Sequence, residues 1–269
     1  MAGTGMAPEQ AWAEIRAVAG DRSAGAAELA RRAAAALGVL GPGELFPALE
    51  VLVGGHPSMA PLWRLGTILL DSPDHPAAAR HFVGELDREA SACAAVAADV
   101  LGPRVITFSC TSMVIGALVY RARQRPGDAT SILCSRSEPE GEGAAMAEAL
   151  RSHGFGAEVV ADAEALALVP SVSAVVTGAD AVTPGGVVNK AGTCPLAAAA
   201  RRARIPWIVL AGEPKLVGAE VPVVAPFERT PIGLARTVVA GGTLLSPQRA
   251  RALAATRLLH PRLAALVPR

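Results

Sequence analysis

A cysteine, a carboxylate and two lysines are the residues of this chain best placed to do chemistry. Cys110 stands just beyond an apolar run, Val105–Phe108, and just before a helix-forming stretch that Thr111 or Ser112 can cap. Helix N-termini present unpaired N–H groups and partial positive charge. A thiol there is expected to fall below its free value of about 8.5, which makes thiolate accessible near neutrality. Asp180 follows the run Ser-Ala-Val-Val-Thr and the pair Gly178-Ala179. A carboxylate off the end of a hydrophobic strand is costly unless it is solvated, paired or used. Binding backbone N–H groups in its own turn is the structural alternative.

Ten residues on, Asn189-Lys190 opens an expected helix through Ala191-Gly192-Thr193, where a helix N-terminus and one ammonium together suit a phosphate. Lys190 and Lys215 are the only lysines among 25 cationic residues. A chain that otherwise uses Arg keeps Lys where a compact point charge is wanted, as at a phosphate. Arg136, after another strand end, can clamp phosphate or pair with Glu138 or Glu140, and Arg22 is a further anion-binding candidate. The other cysteines, Cys93, Cys134 and Cys194, read as small buried hydrophobes. No Cys-x-x-Cys or Cys/His cluster offers zinc-ligand spacing.

Two kinds of element must position these residues. Residues 1–102 read as a helical domain: Pro8–Val18, Ala24–Leu37, Gly43–Val53, Met59–Leu70 and Pro76–Leu101 have apolar residues at helical spacing, with Ser23 and Ser58 as candidate caps. After Gly102-Pro103 the pattern changes. Strands are expected at Val105–Phe108, Ser131–Cys134, Ala157–Val160, Ala174–Thr177, Trp207–Leu210 and Val221–Val224. Helices are expected at Ser112–Arg123, Gly143–His153, Ala163–Leu168, Lys190–Ala203, Ile232–Ala240 and Pro247–Leu259. Such alternation, with strands apolar throughout, is the mark of a parallel sheet covered on both faces. Residues 103–269 therefore read as a doubly wound, Rossmann-like α/β domain. Ligands of such sheets bind beyond the C-terminal strand ends, which selects the loops Ser109–Ser112, Ser135–Gly143, Gly178–Lys190 and Ala211–Leu216. Neither Gly-x-Gly-x-x-Gly nor a P-loop is present, which argues against an ordinary NAD enzyme or P-loop hydrolase.

Composition narrows the function classes. The 269 residues carry a net charge of +1 and only 3% aromatics. There is no broad field for nucleic acid and no stacking platform for single strands, so direct nucleic-acid binding is not expected. The uncharged stretches Val105–Tyr120 and Ala165–Ala179 stop short of the ~18 residues a membrane span needs. Met1 to Gln10 lacks a secretory signal pattern, and a cytoplasmic protein is expected.

The segment from Val176 to Thr193, Val-Thr-Gly-Ala-Asp-Ala-Val…Gly-Gly-Val-Val-Asn-Lys-Ala-Gly-Thr, resembles the Gly-Ala-Asp…Asn-Lys-x-Gly-Thr block of a known family. That family contains methylthioribose-1-phosphate isomerase, ribose-1,5-bisphosphate isomerase and the regulatory α, β and δ subunits of initiation factor 2B. Ser135-Arg136…Glu140-Gly141 is similar to its Ser-Arg-Pro-x-x-Glu-Gly stretch, with Ser137 in place of Pro, and Phe227-Glu228-Arg229-Thr230-Pro231 resembles its near-C-terminal block. Lys215 fits a lysine common to some branches.

Cys110-Thr111-Ser112 resembles the enzymes, where the initiation-factor subunits usually have glycine. The resemblance implies that Cys110 and Asp180 are a catalytic pair and that Asn189, Lys190, Arg136, Lys215 and Arg22 lie around a phosphorylated sugar or nucleotide. It further implies a homodimer and neither metal nor organic cofactor. Two motifs depart from the enzymes: Arg22-Ser23-Ala24-Gly25 stands where they carry Arg-Gly-Ala, and His56-Pro57-Ser58-Met59-Ala60 where they carry Arg-Pro-Thr-Ala-Val. An aldose–ketose isomerase of a ribose-type 1-phosphate is the leading expectation. A non-catalytic subunit that senses a sugar phosphate or nucleotide in the same pocket is its rival.

Overall fold

The computed structural model describes residues 6–127 and 130–268. Five helices come first: α1 (Pro8–Gly20), α2 (Ala26–Leu37), α3 (Pro42–Gly55), α4 (Ala60–Leu70) and α5 (His75–Val100). Spacing explains their packing: Leu29, Ala30, Ala33, Ala34 and Leu37 form one fully buried stripe of α2. Asp74 caps α5 by accepting the Ala77 N–H at 2.9 Å. Two expected caps are otherwise engaged. Gly25, not Ser23, precedes α2, and the Ser23 hydroxyl donates to Asp21. Met59 precedes α4, while the Ser58 hydroxyl donates to Pro222 O at 3.0 Å and accepts from Val224 N at 3.2 Å.

The strands are β1 (Arg104–Phe108), β2 (Ser131–Ser135), β3 (Ala157–Val160), β4 (Ala174–Thr177), β5 (Ala181–Thr183), β6 (Gly186–Lys190), β7 (Trp207–Leu210), β8 (Phe227–Thr230), β9 (Thr237–Ala240) and β10 (Thr243–Leu245). Between them run α6 (Ser112–Gln124), α7 (Glu142–Ser152), α8 (Asp162–Leu168) and α9 (Thr193–Ala203), with α10 (Pro247–Thr256) and α11 (Pro261–Ala264) at the end. Seven strands form the main sheet in the order β10-β9-β7-β4-β1-β2-β3, parallel except for β10. The winding goes outward from β1 to β3 on one side and from β4 to β9 on the other. The topological switch point, where ligands of such sheets bind, therefore lies between β1 and β4.

Three expectations are corrected. Ile232–Ala240 is not a helix: a single 3-10 turn at Ile232–Leu234 leads into β9, because Thr237-Val238-Val239 is β-branched and suits a strand flanked by β7 and β10. Val221–Val224 is not a strand: prolines at 222 and 226 remove ladder donors, and Ser58 holds the segment instead. The long loop expected before Lys190 folds into the hairpin β5–β6, which β8 extends into a second, antiparallel sheet.

The packing runs through both halves of the chain. Cys93, Ala97 and Leu101 of the α5 end join the core under the parallel sheet, and Ala181, Val188, Val217 and Val221 pack into the core of the five leading helices. No helix among the described residues is long and apolar enough to cross a membrane.

Candidate active site

Phe108 ends β1 and pairs with Thr177 at the end of β4. Cys110 leaves the first strand two residues later, and Asp180 leaves the second three residues later. Both residues therefore come off one rim, at the switch point. The two loops touch: a Cβ on Gly178 would lie 2.6 Å from Thr111 Oγ1, so any larger residue there would have to push the Thr111 side chain aside.

Asp180 is held by its main chain. Its N–H donates to Val188 O of β6 at 2.8 Å, and its carbonyl accepts the N–H of Ala60, the first residue of α4, at 3.0 Å. Among the described residues its carboxyl group has no hydrogen-bond or ion-pair partner. Burial and the charge of Glu142 raise it, against the opposing charges of Lys215 and Lys190, to about 6. Lys215 ends the short turn Glu213–Lys215 after β7. Burial lowers it and Asp180 raises it, with a net fall, so carboxylate and ammonium, both half-buried, bear on one another's charge.

Cys110 is exposed, yet its thiol lies above the ordinary value, through crowding by the packed loops and then through the charge of Glu142. The expected lowering at the N-terminus of α6 does not occur. Among the described residues no N–H donates to Cys110 Sγ, and Thr111 at the N-cap makes no side-chain cap. Cys134 and Cys93 are buried and both pushed up to about 12, as suits structural thiols.

Lys190 is the last residue of β6, not the start of a helix. Its ammonium, with a side chain 3% exposed, is paired with Glu140 and, at 3.0 Å, with Glu142. Burial opposes its charge, but the two carboxylates outweigh burial and raise it. Asn189 turns the other way, as alternation along a strand requires, and donates to Thr193 Oγ1 at 3.0 Å. Helix α9 begins only at Thr193, since Gly192 turns the chain at φ +109° where a Cβ would overlap the Phe108 ring. Its N-terminus is not open to phosphate. Glu228 Oε1 accepts from the N–H groups of Gly192 at 2.9 Å and Cys194 at 2.6 Å, so the chain supplies its own anion.

Arg136 is exposed and faces Glu138 at 3.7 Å, the acidic alternative to clamping a phosphate. Arg22 is exposed and donates to Ala19 O at 2.9 Å; its charge bears on His56. His56 is buried, lowered by that burial, and its Nε2 donates to Val18 O at 2.7 Å. The rim thus brings together Cys110, Asp180, Lys190 and Lys215, whereas the contacts of Arg22, Arg136 and Asn189 lie elsewhere.

Two participants carry no motif signal. Glu142 accepts from Ser109 and from Lys190. Asp162, across β2, accepts from Ser135 Oγ at 2.6 Å and the N–H groups of Ser137 and Glu138 at 2.7 and 3.0 Å. Only acidity in the first turn of a helix marked either one. Among the described residues no three His, Cys, Asp or Glu side chains are grouped so as to hold a metal.

Residues 74–224 match the model of the Initiation factor 2 subunit family. A Pyrococcus horikoshii protein named as eIF-2B subunit 2-like is 30% identical over 221 residues, 77% of this chain and 79% of its own. A Pyrococcus furiosus protein of the same name is 30% identical over 162 residues, and the match spans 58% of each chain. A ribose 1,5-bisphosphate isomerase from Archaeoglobus fulgidus is 30% identical over 103 residues, 38% of this chain and 33% of its own. The crystal structure of a Pyrococcus horikoshii OT3 translation initiation factor eIF-2B superposes with a TM-score of 0.82 at 26% identity, covering 90% of this chain and 99% of the other.

Proposed function

This chain belongs to the Initiation factor 2 subunit family, and from that premise we propose that it is an aldose–ketose isomerase of a ribose-type sugar 1-phosphate. The family includes sugar-phosphate isomerases beside eIF-2B-like proteins. One observation carries the enzymatic reading: a carboxyl group raised to about 6 beside a thiol-bearing loop at the switch point of the sheet. Such a carboxyl group can give and take a proton near neutrality.

The phosphate on C1 prevents spontaneous ring opening. Asp180 in its acid form protonates the ring oxygen as the C1–O bond breaks. The hydrogen on C2 then moves to C1, and the C2 hydroxyl proton returns to the Asp180 carboxylate, which leaves a ketone at C2 and restores the acid. Cys110 lies at the same rim, beside the reacting carbons in this reading. Because burial and the charge of Glu142 raise its thiol, direct transfer of the C2 hydrogen as hydride fits the site better than removal of a proton by thiolate. Lys215, which has no carboxylate within ion-pair distance among the described residues, is the cation available to the phosphate, whereas Lys190 is paired with Glu140 and Glu142.

The rival reading, a non-catalytic sensor, draws on Glu228 filling the α9 N-terminus and on His56 standing where the related enzymes carry an arginine. A screen of ribose 1-phosphate, ribose 1,5-bisphosphate and 5-methylthioribose 1-phosphate for ketose formation separates the two. Turnover is expected in the wild type, with Asp180→Asn and Cys110→Ser each slower by about 10²-fold or more. Tight binding without turnover in all three proteins would remove the isomerase and leave the sensor.

A further inference from the structure

We propose that Glu142 is a positioning residue for this site: one carboxylate oxygen is tied to the Ser109 turn that carries Cys110 and the other to the Lys190 ammonium, so that sulfur and cation keep one relative placement. The inference rests on the reading above only in taking Cys110 and Lys190 as site residues. Ser109 adopts φ +64°, in the left-handed region that non-glycine residues rarely enter. Such a conformation persists where its surroundings over-determine it. Here the N–H of Ser109 donates to Ser137 Oγ at 2.7 Å, and its hydroxyl donates to Glu142.

Glu142 itself cannot drift. It opens α7, where a carboxylate suits the helix dipole. The next residue, Gly143, donates to Arg136 O at 3.0 Å and lies so close to the Ser135 carbonyl that any Cβ would overlap it. Helix start and strand end are therefore locked together. Glu140 shares the lysine, but the Ser109 hydroxyl goes to Glu142.

The same geometry sets the electrostatics. The carboxylate of Glu142 opposes ionisation of both Cys110 and Asp180. The other titratable groups facing this space are Cys134 behind Cys110, Lys190 and Lys215 toward Asp180, and Glu140 on Lys190. Neutralising Glu142 removes the one carboxylate that bears on the sulfur.

The test is the pH profile of Cys110 alkylation by iodoacetamide on the full chain, with Cys110→Ser giving the background from the other thiols. In Glu142→Gln the midpoint is expected to fall by about half a pH unit or more, a roughly threefold gain in rate at any pH below it. Glu142→Asp, which keeps the charge, stays nearer the wild type. An unchanged midpoint in a Glu142→Gln protein that melts like the wild type would overturn the electrostatic part of the proposal. Ser109→Ala is measured alongside it, because it cuts the tie and keeps the charge, and because Glu142→Gln could fail to fold. Its plateau rate is expected to change roughly threefold or more at an unchanged midpoint; an unchanged plateau overturns the tie. Alkylation needs no turnover, so absence of isomerisation in the sugar-phosphate screen leaves this test standing.

Discussion

At the scale of single residues, Asp180 carries the sharpest consequence. Its folded value of about 6 lies above the ordinary 3.8, so the folded chain holds a proton that the unfolded chain releases between those values. Stability is therefore lost as pH rises through that window. Asp180→Asn should gain stability relative to the wild type on going from pH 4 to pH 7, by about 1 kcal/mol or more, read by denaturant unfolding at the two pH values. In the proposed reaction the same group in its acid form opens the sugar ring, so kcat/KM for the 1-phosphate is expected to fall as pH rises through about 6. A profile flat from pH 5 to 8 would separate Asp180 from the proton transfer. Lys190 shows where residue-level inference stops: its scarcity marked it out for a phosphate, but its partners in the structure are two carboxylates of the chain itself.

At the scale of elements, the N-terminus of α9 is satisfied by an anion of the chain itself. Glu228 reaches it from β8, across the small sheet, and satisfies two N–H groups with one oxygen. Charge-assisted hydrogen bonds of this kind contribute about 1.5–3 kcal/mol. Glu228→Ala should lower the melting temperature by several degrees, and millimolar phosphate should restore part of the loss in the variant while leaving the wild type unmoved. Equal phosphate response in both proteins would mean that the helix end is not the site exposed. The β5–β6 hairpin matters for the same reason. It places Lys190 on a strand end beside α7, where an extended loop would leave the ammonium unfixed.

At the scale of the whole molecule, the helical half does more than cover the sheet. The N–H of Ala60, first in α4, donates to the carbonyl of Asp180, so the helices hold the backbone of the acid group. Proline is well tolerated at the first helical position, and Met59 before it is already extended. Ala60→Pro should keep the helix while deleting this single bond. The expected result is a lower kcat/KM with a small change in melting temperature; unchanged kinetics would show that Asp180 is held by the Val188 contact alone.

The sequence by itself determined the five leading helices, five of the six expected strands and the placing of Cys110 and Asp180 after strands that end on one rim. Those signals are local: apolar period, β-branched runs and the loops that follow them. Tertiary structure alone decided that Thr237–Ala240 is a strand, because its place between β7 and β10 outweighs a weak helical spacing. It also decided that Lys190 is ion-paired, that α9 is capped by Glu228 and that the Cys110 thiol is raised where a lowering is expected. The carboxylates Glu142 and Glu228 lie tens of residues from the groups they control. Charge coupling over such separations follows from strand order and helix docking, which no window of sequence contains.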